Sequence, residues 1–181
     1  MTNNETTLIV LRGPSGSGKS SAAKMLRASQ EGRIALIEQD YLRRTLLREK
    51  DIAGGLNIEL IKTTVLLALQ NSYHVILEGI FDASRYEQMF EEILRNHPKN
   101  NHFFYFDISF EETLRRHEYR PDKQDFGETK MRRWYKEKDF LACVQETIIP
   151  EIYSLDQTVD NIISRCHLLD RSSPHKTNTL P

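Results

Sequence analysis

The sequence predicts an α/β fold in which five parallel strands are joined by helical crossovers. Two observations predict it. Short runs of β-branched, aliphatic and aromatic residues alternate with longer stretches of helical periodicity, and a glycine-rich octapeptide, GPSGSGKS, stands between the first such run and the first such stretch. The first strand is Thr7 to Arg12, an apolar run that leads into the octapeptide, and the helix Lys19 to Gln30 leaves it through Ser21-Ala22-Ala23-Lys24-Met25-Leu26. The second strand, Arg33 to Glu38, is followed by a short helix, Tyr41 to Arg48. A helix at Ile58 to Asn71 precedes the third strand, His74 to Glu78, and the helix Ala83 to Asn96 precedes the fourth, His102 to Ile108. Helices follow at Phe110 to Glu118 and Glu128 to Phe140, then a fifth strand at Glu146 to Glu151 and a last helix at Leu155 to Cys166. Ser109 with Glu112 and Ser154 with Gln157 have the capping-box spacing, in which each side chain satisfies an orphan backbone donor at a helix start. Gly54-Gly55 within Asp51 to Asn57, and Arg120-Pro121 within Tyr119 to Gly127, mark two loops that project from the layered core.

A chain of 181 residues suits one domain of the usual size, about 150 residues. That domain is expected over 1–170, with a frayed polar tail, RSSPHKTNTLP, over 171–181. With 39% hydrophobic and 28% charged residues the chain is too apolar to be disordered. Lys and Arg (25) nearly balance Asp and Glu (26), so no excess of charge calls for nucleic acid or an anionic membrane. The longest aliphatic run, Val65 to Leu69, is far short of a membrane span, and MTNNETT lacks the features of a signal peptide, so a cytoplasmic protein is expected. Cys143 and Cys166 have neither CxxC nor zinc-finger spacing and read as buried free thiols. No motif distinguishes a monomer from a homodimer.

The octapeptide satisfies G-x-x-x-x-G-K-[ST] through Gly13, Gly18, Lys19 and Ser20, in the strand-loop-helix context that its mechanism requires. Glycines let successive backbone N–H groups converge on phosphate oxygens, and the positive end of the next helix favours anions. Gly13, Pro14, Ser15, Gly16, Ser17, Gly18, Lys19, Ser20 and Ser21 are therefore the expected nucleotide-binding residues. Lys19 would reach the β- and γ-phosphates, and Ser20 would offer a hydroxyl to Mg²⁺.

The rest of the chain indicates what a triphosphate is used for. A GTPase is disfavoured, because Asp51-Ile52-Ala53-Gly54 fits D-x-x-G in the wrong place and no N-K-x-D occurs. A motor ATPase would need more chain. Asp40 follows the second strand, at the carboxyl edge where open α/β sheets bind ligands, and a carboxylate there can take the proton of an attacking hydroxyl. It could also, or instead, cap the helix that starts at Tyr41. Glu78 ends the third strand, as a carboxylate that holds Mg²⁺ through water or one that contacts a substrate hydroxyl beside Gly79. Asp107 competes for the metal role. Arg115, Arg116 and Arg120 before the second loop, and Arg132 and Arg133 after it, could bring guanidinium groups onto the transferring phosphoryl group or form a solvated face. Arg43, Arg44 and Arg48 could contact an anionic acceptor or simply be exposed, and Trp134 and Tyr135 could stack on a base or pack into the core.

The strings EQDYLRR, VILEGIF, FDISFEETLRRHEYRP and MRRWYKEKD resemble the small P-loop kinases of the nucleoside- and nucleotide-kinase type, a group that includes uridine kinases, gluconate kinase and chloramphenicol phosphotransferase. The similarity spans about residues 7 to 166. It implies a three-layer P-loop NTPase fold with strand order 2-3-1-4-5, a helical lid at about 115–138, and ATP with Mg²⁺ as donor. By position it makes Gly13 to Ser20 the phosphate loop and Asp40 the acceptor-activating carboxylate. It also makes Arg116 and Arg120 a lid-hinge pair embracing ATP, and Arg132 or Arg133 the lid arginine. The segment Glu118 to Gly127 has no zinc-binding cysteines, and the arginine pattern of nucleoside-monophosphate kinases is missing. The expected activity is ATP-dependent phosphorylation of a hydroxyl on a small molecule, with Asp40, Arg43, Arg44, Glu78 and Gly79 on the acceptor. A nucleotide or polynucleotide 5′-hydroxyl kinase would add local basic surface and steep salt dependence, and a non-catalytic ATP-dependent switch would bind ATP without acceptor-dependent ADP release.

Overall fold

The computed structural model describes residues 6–118 and 127–166. Strand β1 (Leu8–Arg12) is buried throughout because parallel neighbours flank it, β3 (His74–Gly79) on one side and β4 (Asn101–Asp107) on the other. β2 (Ile34–Glu38) pairs with β3, and β5 (Thr147–Pro150) with β4, so the parallel order is β2-β3-β1-β4-β5. This is the order that the family resemblance implies.

Helices α2 (Leu56–Gln70) and α3 (Ala83–Asn96) cover one face of the sheet. Ile61, Val65 and Leu69 form the buried stripe of α2, at the four-residue spacing that keeps side chains on one helix face. Tyr86, Phe90 and the loop residue Phe81 extend it through edge-to-face ring contacts that reach Phe103. The other face carries α1 (Lys19–Ala28) and α6 (Leu155–Cys166), which bury Ala22, Ala23, Leu26, Val159 and Ile162. Two layers of helix thus hold the sheet so that the carboxyl ends of β1, β2 and β3 open at one edge, where the loops of interest lie. α4 (Phe110–Glu118) and α5 (Glu128–Trp134) pack together on a small cluster built around Phe110 and Met131.

Three local expectations are corrected. The helix expected to run to Phe140 stops at Trp134, because Tyr135 turns extended and the chain beyond it is pulled onto the sheet edge by tertiary contacts of Asp139 and Glu146. The Tyr41 helix is a π-helix, Tyr41–Leu47, closed by Arg48 in the left-handed region with the Glu49 N–H donating to the Arg43 carbonyl. At Ser109 only half of the capping box forms: the Ser109 hydroxyl accepts from the Glu112 N–H, but Glu151 accepts the Ser109 N–H, leaving the Glu112 carboxylate to Arg115 and Arg116. The Ser154–Gln157 box forms completely. Cys166 is buried, its thiol pushed up to about 12 by burial, whereas Cys143 is only partly buried. No helix among the described residues is long and apolar enough to cross a membrane. Arg120, the rest of the loop before Gly127 and the expected tail at 171–181 lie outside the described residues.

Candidate phosphoryl-transfer site

The phosphate loop is shaped by its glycines. Gly13 has φ +140°, and a Cβ there would stand 2.8 Å from the Phe106 carbonyl oxygen; Gly16 has φ +82°, and a Cβ would meet the Thr113 carbonyl at the same distance. Both positions therefore need glycine for backbone conformation and for close approach. Lys19 opens α1 and is buried, its ammonium donating to the Pro14 carbonyl (2.7 Å) and the Ser17 hydroxyl (3.1 Å). Charge is thus held inside the loop.

A cavity of about 500 Å³ opens in front of it. Ser15, Gly16, Lys19 and Ser20 line one wall, and the ends of β2 and β3 bring Glu38, Asp40 and Glu78 to the others. The paired register explains the juxtaposition, since Glu38 lies opposite Glu78 and Glu78 opposite Leu11 at the end of β1. Asp40 does not cap the following helix. Its Oδ1 accepts from Arg43 (2.7 Å) and its Oδ2 from Arg44 (3.4 Å), and its side chain is about half exposed.

Glu78 is buried and accepts a hydrogen bond from the Ser20 hydroxyl at 3.1 Å. Burial raises its carboxyl above the ordinary value of 4.5, with the Lys19 charge and the Ser20 hydrogen bond pulling it back only in part. An acid whose value is raised by folding costs no stability below its unfolded value and costs progressively more as pH climbs toward the folded one. Glu78→Gln keeps an acceptor for Ser20 and removes the buried charge. It is expected to raise the melting temperature at pH 7.5, with the gain vanishing below about pH 4. A thermal melt showing equal or larger gain at pH 4 contradicts this assignment.

On the cavity wall, Gln39 holds the two strand ends together. Its Oε1 accepts from the Ile80 N–H (2.8 Å), and its amide donates to the Tyr86 hydroxyl (2.6 Å). Tyr86 is fully buried, accepts a second bond from Asn57 (2.8 Å) and donates to Asp51 (2.6 Å). The missing side chain of Gly79 is what lets Gln39 cross here, so the space above Gly79 is filled by protein. Tyr86→Phe strands the buried Gln39 and Asn57 amides and is expected to cost roughly 1–3 kcal/mol in urea denaturation, the usual penalty for buried donors that lose their acceptor. An unchanged midpoint would show that the hub contributes nothing.

Arg116 lies against the back of the phosphate loop. It donates to the Ser17 carbonyl (2.8 Å), the Glu151 carbonyl (3.0 Å) and the Glu112 carboxylate (2.7 Å), and Glu112, gripped by Arg115 and Arg116, is held down at about 2. Arg132 instead covers the Phe110 ring at 4.2 Å and pairs with Glu128, and Arg133 is exposed. Neither lines the cavity. Trp134 is partly exposed, while Tyr135 packs edge-on against Phe110. Asp107 lies on β4, away from the cavity wall.

The sequence gives no sign of several residues near the site. Lys24, which lines the cavity, pairs with Glu38 at 3.7 Å. Arg12, wholly buried, pairs with Glu146 (2.7 Å) and Asp139 (3.2 Å), and Lys136 pairs with Asp82 (2.6 Å) beside Gly13 and Pro14. Arg12 at the end of β1 and Lys136 just past α5 have no signal beyond that placement, and Lys24, inside α1, has none.

A family model described as AAA domain matches residues 8–142, from β1 through the segment after α5. The chain belongs to that family. No curated protein sequence matches it. Among solved structures, this AAA-domain chain is similar to a sugar kinase from Janibacter sp. (TM-score 0.67, 13% identity, covering 94% of this chain and 99% of the other). It is also similar to a gluconokinase from Sinorhizobium meliloti (0.61, 14%, 90% and 93%) and to the APS kinase of Mycobacterium tuberculosis (0.66, 16%, 88% and 96%). At these identities the likeness is one of fold, that of a small stand-alone P-loop kinase.

Proposed function

We propose that this protein transfers the γ-phosphoryl group of ATP to a hydroxyl of a small molecule. The observation that carries the reading is the meeting, in one cavity, of Lys19 and Ser20 with a solvent-accessible carboxylate, Asp40, on a different wall. The loop N–H groups and Lys19 hold the phosphates, and Arg116 keeps the loop in place from behind. The Ser20 hydroxyl and the buried Glu78 carboxylate, already in contact, are the hard oxygen donors that suit Mg²⁺, and phosphate oxygens and water would complete its shell. When bound, Mg²⁺ offsets the negative charge of the β- and γ-phosphates.

Asp40 accepts the acceptor's hydroxyl proton as that oxygen attacks the γ-phosphorus. The new O–P bond forms, the bridging bond to the β-phosphate breaks, and ADP leaves with the electron pair. Oδ2 is the more loosely held oxygen, since its contact with Arg44 (3.4 Å) is longer than that of Oδ1 with Arg43 (2.7 Å). The fold shared with kinases of sugars, gluconate and APS supports the class of reaction. The test is ADP release with Mg-ATP across nucleosides, sugars, sugar acids, aminoglycosides and phenicols, with Lys19→Ala as the blank. Stimulation by at least one acceptor, lost in Lys19→Ala, is expected. Tight ATP binding with no stimulation by any compound would favour a switch protein.

A further inference from the structure

Resting on the phosphoryl-transfer reading, we propose that the Tyr86 hydroxyl is the positioning group of the acceptor wall: it ties down both ends of the segment that carries Asp40 and thereby sets the acceptor's place relative to the γ-phosphate. Within that segment, Asp40 to Glu49, the chain is bonded to itself. Arg43 donates to Asp40 Oδ1 (2.7 Å) and to the Glu49 carbonyl (3.3 Å), and the Glu49 N–H returns a bond to the Arg43 carbonyl (2.9 Å). Asp40, Tyr41, Arg44 and Thr45 line the cavity from this segment. The π-helix contributes no buried residue, and Leu42 rests on the core only in part. A unit with so little buried apolar surface opens readily unless its ends are held.

Both ends are held at one oxygen. At the near end the amide of Gln39, the residue before Asp40, donates to the Tyr86 hydroxyl (2.6 Å). At the far end that hydroxyl donates to Asp51 Oδ1 (2.6 Å), and Asn57, in the first turn of α2, donates to it (2.8 Å). Two bonds accepted and one donated use the full capacity of the phenolic group. Arg85 backs the far end, donating to the Asp51 carbonyl (3.2 Å) and pairing with Asp51 Oδ2 (3.2 Å), while Asp82 holds Arg85 in turn (3.1 Å). Tyr86 and Arg85 stand on α3, which follows the strand that carries Glu78, so the acceptor wall takes its position from the same strand as the nucleotide side. Tyr86 touches no reacting group, being wholly buried and outside the cavity lining. It acts through Gln39 and Asp51, and a misplacement of about 1 Å is enough to cost about 10²-fold in rate.

The experiment compares Tyr86→Phe with Ile93→Val, which trims the buried face of the same helix without touching the hydroxyl, at a temperature where both are folded. With an acceptor that the wild type turns over, kcat/KM for that acceptor is expected to fall by at least about tenfold in Tyr86→Phe, while ATP affinity stays within about twofold of the wild type. Neither quantity should move in Ile93→Val. Asp51→Asn keeps an acceptor for the hydroxyl and should retain more of the wild-type kcat/KM than Asp51→Ala, although Asp51 does not line the cavity. Unchanged acceptor kinetics in Tyr86→Phe overturns the proposal and leaves phosphoryl transfer intact. An equal fall in Ile93→Val, or a parallel loss of ATP affinity in Tyr86→Phe, makes the hydroxyl a purely structural group and also overturns it. If the wild type releases ADP with no compound, the transfer reading is what fails, and the anchoring is read without turnover by amide hydrogen exchange. Faster exchange in Tyr86→Phe across 41–49, with 19–28 as in the wild type, supports anchoring of the wall; unchanged exchange, or an equal rise in both stretches, contradicts it.

Discussion

Replacing Asp40 with asparagine is expected to lower acceptor-dependent ADP release by about 10²–10⁴-fold while leaving the affinity for ATP unchanged, since that is the usual contribution of a positioned general base. Asparagine has nearly the same shape and still accepts from Arg43, so the end of β2 and the π-helix stay in place. The phosphate loop has contacts of its own: Lys19 is held by Pro14 and Ser17, and Ser20 by Glu78. Stability should move little, because partly exposed ion pairs such as those with Arg43 and Arg44 are worth about 0–1 kcal/mol. The pattern therefore separates chemistry from binding and from folding. Normal turnover in Asp40→Asn would remove the base from the mechanism, and a parallel loss of ATP affinity would move Asp40 to the nucleotide.

The largest effect on folding is expected at Arg12, the last residue of β1. Its guanidinium is fully buried, bonded to Glu146 (2.7 Å), Asp139 (3.2 Å) and the Phe81 carbonyl (2.8 Å), and lies over the Tyr105 ring at 5.3 Å. Glu146 is almost as enclosed; burial pushes its carboxyl up, and Arg12 is the cation that opposes the shift. Arg12→Ala leaves that carboxylate buried without a counter-charge, a defect that costs about 3–5 kcal/mol. For a domain of this size the melting temperature should fall by roughly 6–20 °C. The double variant Arg12→Met with Glu146→Leu removes both charges and should recover much of the loss, since apolar groups of similar volume commonly replace a buried ion pair without penalty. A single variant that melts within a degree or two of the wild type would contradict this reading, as would a double variant no better than the single one.

What was legible in the sequence is what is encoded locally. The phosphate loop is fixed by spacing within eight residues, and the two glycines with positive φ whose Cβ would collide with backbone, Gly13 and Gly16, lie inside it. β1 is readable because burial on both faces demands an unbroken apolar run. Asp40 and Glu78 were found as acids at strand ends, and the parallel register brings those ends to one cavity.

Long-range partners were not legible. The Lys-Glu-Lys-Asp stretch after Tyr135 has good helix formers, yet Arg12 and the Ala83 N–H capture Asp139, and that capture overrides local propensity. Tyr86 and Gln39 stand 47 residues apart, and nothing in either neighbourhood marks them as partners. At Ser109 the capping-box spacing was present, but Arg115 and Arg116 compete for Glu112 and win, because a charge-assisted bond outweighs one to a neutral N–H. Arg132 follows the same logic in reverse: its position suggested a phosphate ligand, while the Phe110 ring and Glu128 offer it nearer partners.

The most direct test of a phosphoryl-transfer site is the fate of the γ-phosphorus, followed by phosphorus NMR with wild-type protein, Mg-ATP and a pool of nucleosides, sugars and aminoglycosides. A new phosphomonoester resonance that grows in step with ADP, and is missing with Lys19→Ala, is the expected result. ADP accompanied only by inorganic phosphate, or unchanged ATP in the presence of every acceptor, would contradict the account.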